Sequence, residues 1–189
     1  HTVLAPLWRK AVMSADDEQA IISEFGSLLT ADDHFHRMSA MLYAERPASA
    51  GRVAKLANSE PLFAAWSAAI RKDAKTAGFV KVVPAEAQKL AGYQFAKALW
   101  LRKTGKLKDA AKVMAEAPQD AASLIDPDAW WNERRILARS LWDAGQTKLA
   151  YKTASMHAAQ SPTDAAEAEF HAGWIALRGL KDTKLGEAH

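Results

Sequence analysis

The chain has 189 residues and no cysteine. A disulfide framework, thiolate metal sites and a cysteine nucleophile are therefore excluded. Zero cysteine fits an oxidising compartment and fits the cytosol too. No apolar run approaches the roughly 20 residues that a membrane-spanning helix needs, so the chain is read as not membrane-spanning. Glycine (9) and proline (7) are sparse. The only strand-like run is "GFVKVV" at 78–83, which is expected to link two helical hairpins. No Gly-rich phosphate loop or nucleophile elbow occurs, and no cofactor-binding motif is found. No signal peptide is visible. The chain starts His1-Thr2 rather than at a methionine, so the expectation is that a native start, and an export signal with it, has been removed.

What is present favours helix. Alanine is the most abundant residue, apolar residues make up 49% and charged residues 25%, an ordinary globular balance. The length suffices for one sizeable core or for an array of small units. Net charge is +3 but unevenly spread. Residues 14–33 hold six acids and no base, whereas 71–112 hold eleven bases and three acids. Two readings of the basic run stand. It can attract a polyanion, or it can be a solvated helical face whose counter-charges come from other segments, the commoner arrangement. Nucleic-acid binding is not favoured, because the aromatics there sit at core spacing and no helix-turn-helix or zinc motif accompanies them.

Apolar residues recur at helical spacing almost everywhere. Helices are expected at 2–12 and 15–29. Thr30 caps the next, with Asp33 three residues on closing a capping box. "ERPASAGR" opens another through Val53 and Leu56, and Pro61 sits in the first turn of a further one. From about residue 84 a repeat emerges on aligning Gly105 with Gly145. Seven residues before each glycine is Ala98 or Ala138, four before is Leu101 or Leu141, and five after is Ala110 or Ala150. Small residues let antiparallel helices approach, glycine supplies the positive φ that ends the first, and Pro118 and Pro162 are expected to stop the second. A third unit holds Phe170, Gly173, Trp174 and Leu177, with a second helix from about Asp182. Its unfinished face suggests a chain cut from something longer and exposes Leu180 and Leu185. The expected fold is all-α: a tetratricopeptide-like superhelix of antiparallel hairpins forming a single domain over 1–189. Amino-terminal helices would occupy 1–83 and repeat hairpins 84–189, with truncation at the carboxyl end.

The helix around 130–145 places Trp130, Leu137 and Leu141 on one edge and Trp131, Ala138 and Trp142 on the other, with Arg134 on the stripe. Two readings remain: a packed stripe with a satisfied arginine, or an aromatic-basic platform for a sugar or stem peptide. Glu133, among tryptophans and beside two arginines, is the most tempting carboxyl acid. The arginines should lower its pKa, which argues for an ion pair. "DDHFH" offers Asp32, Asp33, His34 and His36 as metal ligands, but residues two apart on a helix point to different faces, so capping is the better reading and no metal site is assigned.

Four strings carry a resemblance: "LLTADDHFHRMSAMLYAERPASAGRVAKL", "YQFAKALWLRKTGKLKDAAKVM", "WWNERRILARSLWDAGQTKLAYKTASMHA" and "AEAEFHAGWIALRGLKD". Together they span about 25–180. They resemble the amino-terminal helical region of bacterial soluble lytic transglycosylases, including the order Thr30, Asp33, His34, Arg37, Leu42. The resemblance implies a periplasmic protein whose α-superhelix carries a lysozyme-like catalytic domain that cleaves peptidoglycan glycan strands and leaves 1,6-anhydromuramoyl ends. That domain is marked by Glu-Ser and Gly-Leu-Met-Gln motifs. Neither occurs here, so no catalytic residue is carried over and this chain is expected to be inactive by itself. The implied partners are peptidoglycan and the carboxyl-terminal catalytic domain of the parent chain. The residues expected to meet stem-peptide carboxylates are Arg71, Lys72, Lys75, Arg102, Lys103 and Lys106. A free-standing helical-repeat adaptor that binds a protein partner is the alternative.

Overall fold

The computed structural model describes residues 1–189 and contains thirteen α-helices and no strand. The elements are α1 Leu4–Lys10, α2 Ala15–Phe25, α3 Ala31–Tyr43, α4 Pro47–Val53, α5 Glu60–Arg71, α6 Thr76–Val82, α7 Ala91–Lys103, α8 Leu107–Glu116, α9 Ala121–Leu124, α10 Pro127–Asp143, α11 Thr147–Ser155, α12 Pro162–Ile175 and α13 Thr183–Ala188. They form an all-α superhelix. Successive helices pair as hairpins, α3 with α4, α5 with α6, α7 with α8, α10 with α11 and α12 with α13. The first helices α1, α3, α5, α7, α10 and α12 stack in that order, and α8 packs on α11 in the second layer. One contiguous core runs from Trp8 to Ile175. No helix is long and apolar enough to cross a membrane.

The hairpin turns follow from local chemistry. Gly105 and Gly145 sit at φ 78° and 71°. The next amide in each turn reaches back across it: Lys106 N–H donates to Leu101 O at 2.9 Å and Gln146 N–H to Leu141 O at 2.8 Å. This closes the last turn of the first helix and reverses the chain. Ala98, Ala138, Leu101, Leu141, Ala110 and Ala150 are all buried, as the repeat required. The Thr30–Asp33 capping box is formed, and prolines occupy the first turns of α4, α5, α10 and α12.

Several expectations change. Residues 78–83 are not a linker: most of them lie within α6. Val80 and Val83 are 5% and 2% exposed, so burial of α6 against its hairpin partner α5 overrides β-propensity. Pro162 does not stop a helix; α11 ends at Ser155 and Pro162 starts α12 behind the Ser161 cap. The helix expected through Leu56 ends at Val53, and the one expected over 15–29 ends at Phe25 and tightens into a 3₁₀ turn. Leu180 and Leu185 are half-buried; the exposed apolar residues of the last hairpin are Phe170, Trp174 and Leu177.

Four buried aromatics lock the first helices together. Tyr43 of α3, Trp66 of α5, Phe95 of α7 and Trp130 of α10 have neighbouring ring centroids 4.6 to 5.4 Å apart. Trp130 Nε1–H donates to the Tyr43 hydroxyl at 2.9 Å across this layer. Burial pushes the Tyr43 hydroxyl far above its usual range, so it stays a neutral donor and acceptor.

Candidate functional site

The six bases singled out in the sequence gather at the carboxyl ends of α5 and α7, but they do different things. Lys103 Nζ donates to the Ile70 carbonyl at 3.0 Å and so satisfies the open end of α5. Burial pulls its pKa down, and the nearby Glu45 and Glu133 carboxylates work against that pull. Arg102 grips Glu133 of α10 with two nitrogens, Nη2 to Oε2 at 2.9 Å and Nε to Oε1. Arg71 donates to Ser67 on its own helix. Lys72 forms the left-handed turn at φ 56° that ends α5. The Lys75 side chain is exposed, and its amide is held by Asp73. Lys106 lies 5.5 Å over the Trp100 ring, away from the Glu133 pair. Lys72, Arg102 and Lys103 therefore come together, Arg71 and Lys75 flank them, and the exposed Lys106 rests over an indole apart from them.

Arg102, Glu45 and Glu133 border a cavity of about 120 Å³ between the ends of α3, α5, α7 and α10. Glu133 is 5% exposed. Its pKa is raised, not lowered: burial is the largest influence and exceeds the opposing pull of Arg102 and Lys103. The expectation based on its sequence neighbours fails because neither neighbour pairs with it. Arg134 points to α8 and α11, and Arg135 pairs with Glu167 at 2.8 Å. Arg102 donates to both oxygens of Glu133, so the carboxyl is held in an ion pair at the cavity wall.

At Trp130 and Trp131 the tryptophan stripe is packed core, while Trp142 is half-buried. Trp130 and Trp131 are 0% and 1% exposed, so they cannot be a sugar platform. Arg134 stacks 5.9 Å from the Trp130 centroid and donates to the Met114 and Thr153 carbonyls. The histidines and acids of "DDHFH" are likewise structural. Asp33 closes the capping box and takes Arg9 and His1, Asp32 pairs with Arg9 and His36, and His34 packs edge-on against Trp8 at 5.4 Å.

A platform does exist, one hairpin further on. The groove between α10 and α12 encloses about 420 Å³ and is bordered by Trp142, Phe170, Trp174, His171, Arg139 and Asp143. Phe170 and Trp174 are 65% and 46% exposed. Their rings stack with centroids 6.2 Å apart and planes 25° off parallel, and Arg178 lies 5.0 Å over the indole. Trp142 is held in the wall by close packing at Gly179, where a β-carbon would come within 2.5 Å of the indole. Sequence reasoning named Phe170 and Trp174 only as members of the third repeat unit and proposed no groove there. The available signal was that α12 is apolar on two faces. Ala168, Ala172 and Ile175 fill the buried face with aliphatic residues, which leaves the large aromatics at i and i+4 pointing out. Stacked, half-exposed aromatics flanked by an arginine and an aspartate suit a flat ligand with polar edges, such as a pyranose ring.

No protein family, curated protein sequence or solved structure matches the chain.

Proposed function

We propose that the chain is the superhelical, non-catalytic part of a periplasmic peptidoglycan lytic transglycosylase, where it holds the catalytic domain and grips the glycan. The observation that carries this reading is the exposed Phe170–Trp174 stack in the α10–α12 groove, with Arg139, Asp143 and Arg178 at its rim. Sugar rings of the strand would lie on the aromatic faces while the charged rim takes hydroxyl and carboxylate groups. Arg71, Lys72 and Lys75, which form no ion pair, are the bases free to meet stem-peptide carboxylates. The segments that resemble the transglycosylase superhelix support the same assignment.

The test is co-sedimentation with purified sacculi, with mass spectrometry of the soluble fraction. The intact chain is expected in the pellet with no anhydromuropeptide released. Phe170→Ala with Trp174→Ala should weaken pelleting by about tenfold or more, because two large contact residues are lost at the centre of the groove. Both side chains are exposed, so the melting temperature should stay unchanged. Failure of the intact chain to pellet would sink the peptidoglycan reading and favour an adaptor that binds a protein. Release of anhydromuropeptides would sink the non-catalytic assignment.

A further inference from the structure

A second site lies in the other layer of the superhelix. Between α8 and α11 a cleft of about 300 Å³ is bordered by Lys108, Lys112, Lys152, Arg134, Glu116 and Leu149. Its floor is Arg134, which is 2% exposed. The guanidinium donates to Met114 O at 2.7 Å and Thr153 O at 3.4 Å, one carbonyl near the end of each flanking helix. Those two bonds leave part of its five-donor fork uncommitted. No carboxylate pairs with Arg134, and Lys108, Lys112 and Lys152 form no ion pair either. Four cations thus line one concave space with a single acid, Glu116, and the buried one, Arg134, has no counter-ion.

We propose that this cleft binds a small oxyanion, a phosphate or carboxylate group seated over the Arg134 guanidinium and enclosed by Lys108, Lys112 and Lys152. A guanidinium matches the planar, two-oxygen edge of such a group, and the lysines add point charge without imposing geometry. The apolar wall of Ala111, Ala115 and Leu149 leaves room for a short carbon skeleton. Burial pulls the Arg134 pKa down to about 10, the mark of a cation whose environment lacks a full counter-charge. The site is separate from the α10–α12 groove and does not depend on the peptidoglycan reading.

Inorganic phosphate and citrate are the probes, titrated separately at constant ionic strength. Binding is followed by calorimetry, by the melting temperature and by the ¹⁵N-edited signal of the Arg134 Nε–H. Saturable binding with movement of that signal is expected for at least one of the two. Phosphate alone would identify a phosphate-bearing ligand, citrate alone a carboxylate-bearing one. Lys112→Ala with Lys152→Ala should weaken the affinity about tenfold, since two of the four cations go. Lys55→Ala with Lys81→Ala removes the same charge elsewhere and should change it less than twofold. Both pairs are exposed, so folding is preserved. The proposal is overturned if neither probe saturates, if the Arg134 signal stays still, or if the two double variants weaken binding equally.

Discussion

Glu18 is the only buried residue of α2, at 1% exposure, and it is an ion. It meets the fully buried Arg37 of α3, whose Nε donates to Oε1 at 2.9 Å, and Arg52 of α4 on the other oxygen. Arg37 also donates to Trp8 O at 2.6 Å and Ala11 O at 2.8 Å and lies 4.5 Å over the Trp8 ring. One carboxylate therefore joins α1, α2, α3 and α4. Replacing Glu18 with Ala leaves Arg37 charged, out of water and without a counter-ion, which costs about 3–5 kcal/mol. That is a large share of the roughly 5–15 kcal/mol that stabilises a domain. Arg52→Ala is different. Its side chain is 33% exposed, and its removal leaves the Arg37–Glu18 pair intact, so the loss should stay near 1 kcal/mol or below. Urea unfolding of both variants gives the two free energies. Native-state hydrogen exchange should show the α2 amides of Glu18→Ala opening far more readily than those of α7. Equal losses in the two variants, or undiminished α2 protection in Glu18→Ala, would refute the reasoning.

Other consequences are as direct. Tyr43→Phe strips the acceptor from a buried indole N–H and should cost about 1–3 kcal/mol; adding Trp130→Phe should cost less than the sum of the singles in a double-mutant cycle, and strict additivity would count against the bond. Gly145→Ala should cost about 1 kcal/mol from backbone strain alone, since a β-carbon there meets nothing, whereas Glu45→Gly should stabilise by a similar amount; thermal melts would read the opposite signs. Burial by itself would raise the Asp33 carboxyl, but hydrogen bonds from Thr30 N and Oγ1 and the Arg9 guanidinium outweigh it and hold the pKa below its usual value. The native state thus binds that proton less readily than the unfolded chain, so the contribution is complete above the unfolded value of about 4 and is lost as pH falls through the folded one. Unfolding midpoints between pH 3 and 7 should therefore fall less steeply on the acid side in Asp33→Asn, and parallel curves would rule out this role.

What the sequence revealed and what it concealed divide along one physical line. A helix start is written in a few adjacent residues, so the Thr30–Asp33 box and the proline first turns could be read directly. A hairpin turn is readable only where glycine marks it. Glu45, Asn58, Lys72 and Lys181 hold the same left-handed conformation at φ 50° to 60°. The backbone at Glu45, Lys72 and Lys181 is strained by about 1–2 kcal/mol relative to glycine, with no hint of it in local propensity, whereas asparagine at 58 adopts this conformation readily. The ion pairs were hidden for another reason. Glu133 is flanked by arginines in the sequence but meets Arg102, thirty-one residues away, because a helix sends adjacent side chains in different directions.

The concealed turns change how the architecture is understood. Arg46 N–H donates to Met41 O at 2.8 Å around Glu45, the same bond that Lys106 and Gln146 make around their glycines. Counting from Glu45, the buried residue seven before is Met38, the one four before is Met41 and the one five after is Ala50, in register with Ala98, Leu101 and Ala110 and with Ala138, Leu141 and Ala150. The α3–α4 hairpin is thus built on the same frame as α7–α8 and α10–α11, although it has no glycine at the turn and carries methionine at two of the packing positions. Methionine is long and unbranched, so it fills the space between helices that alanine would bring closer. The repeat is therefore a packing rule before it is a sequence pattern: an apolar anchor one turn before the reversal, a left-handed residue at it, and a fully buried alanine one turn beyond. A turn residue can depart from glycine while the anchor and the alanine hold, because the reversal is stabilised by the back-reaching amide and by the helix pair on either side of it. On this rule, replacing Ala50 with Leu should disrupt its hairpin as severely as the same change at Ala110 or Ala150, costing about 1–3 kcal/mol through overpacking, and a tolerated Ala50→Leu in thermal melts would separate the amino-terminal hairpin from the others.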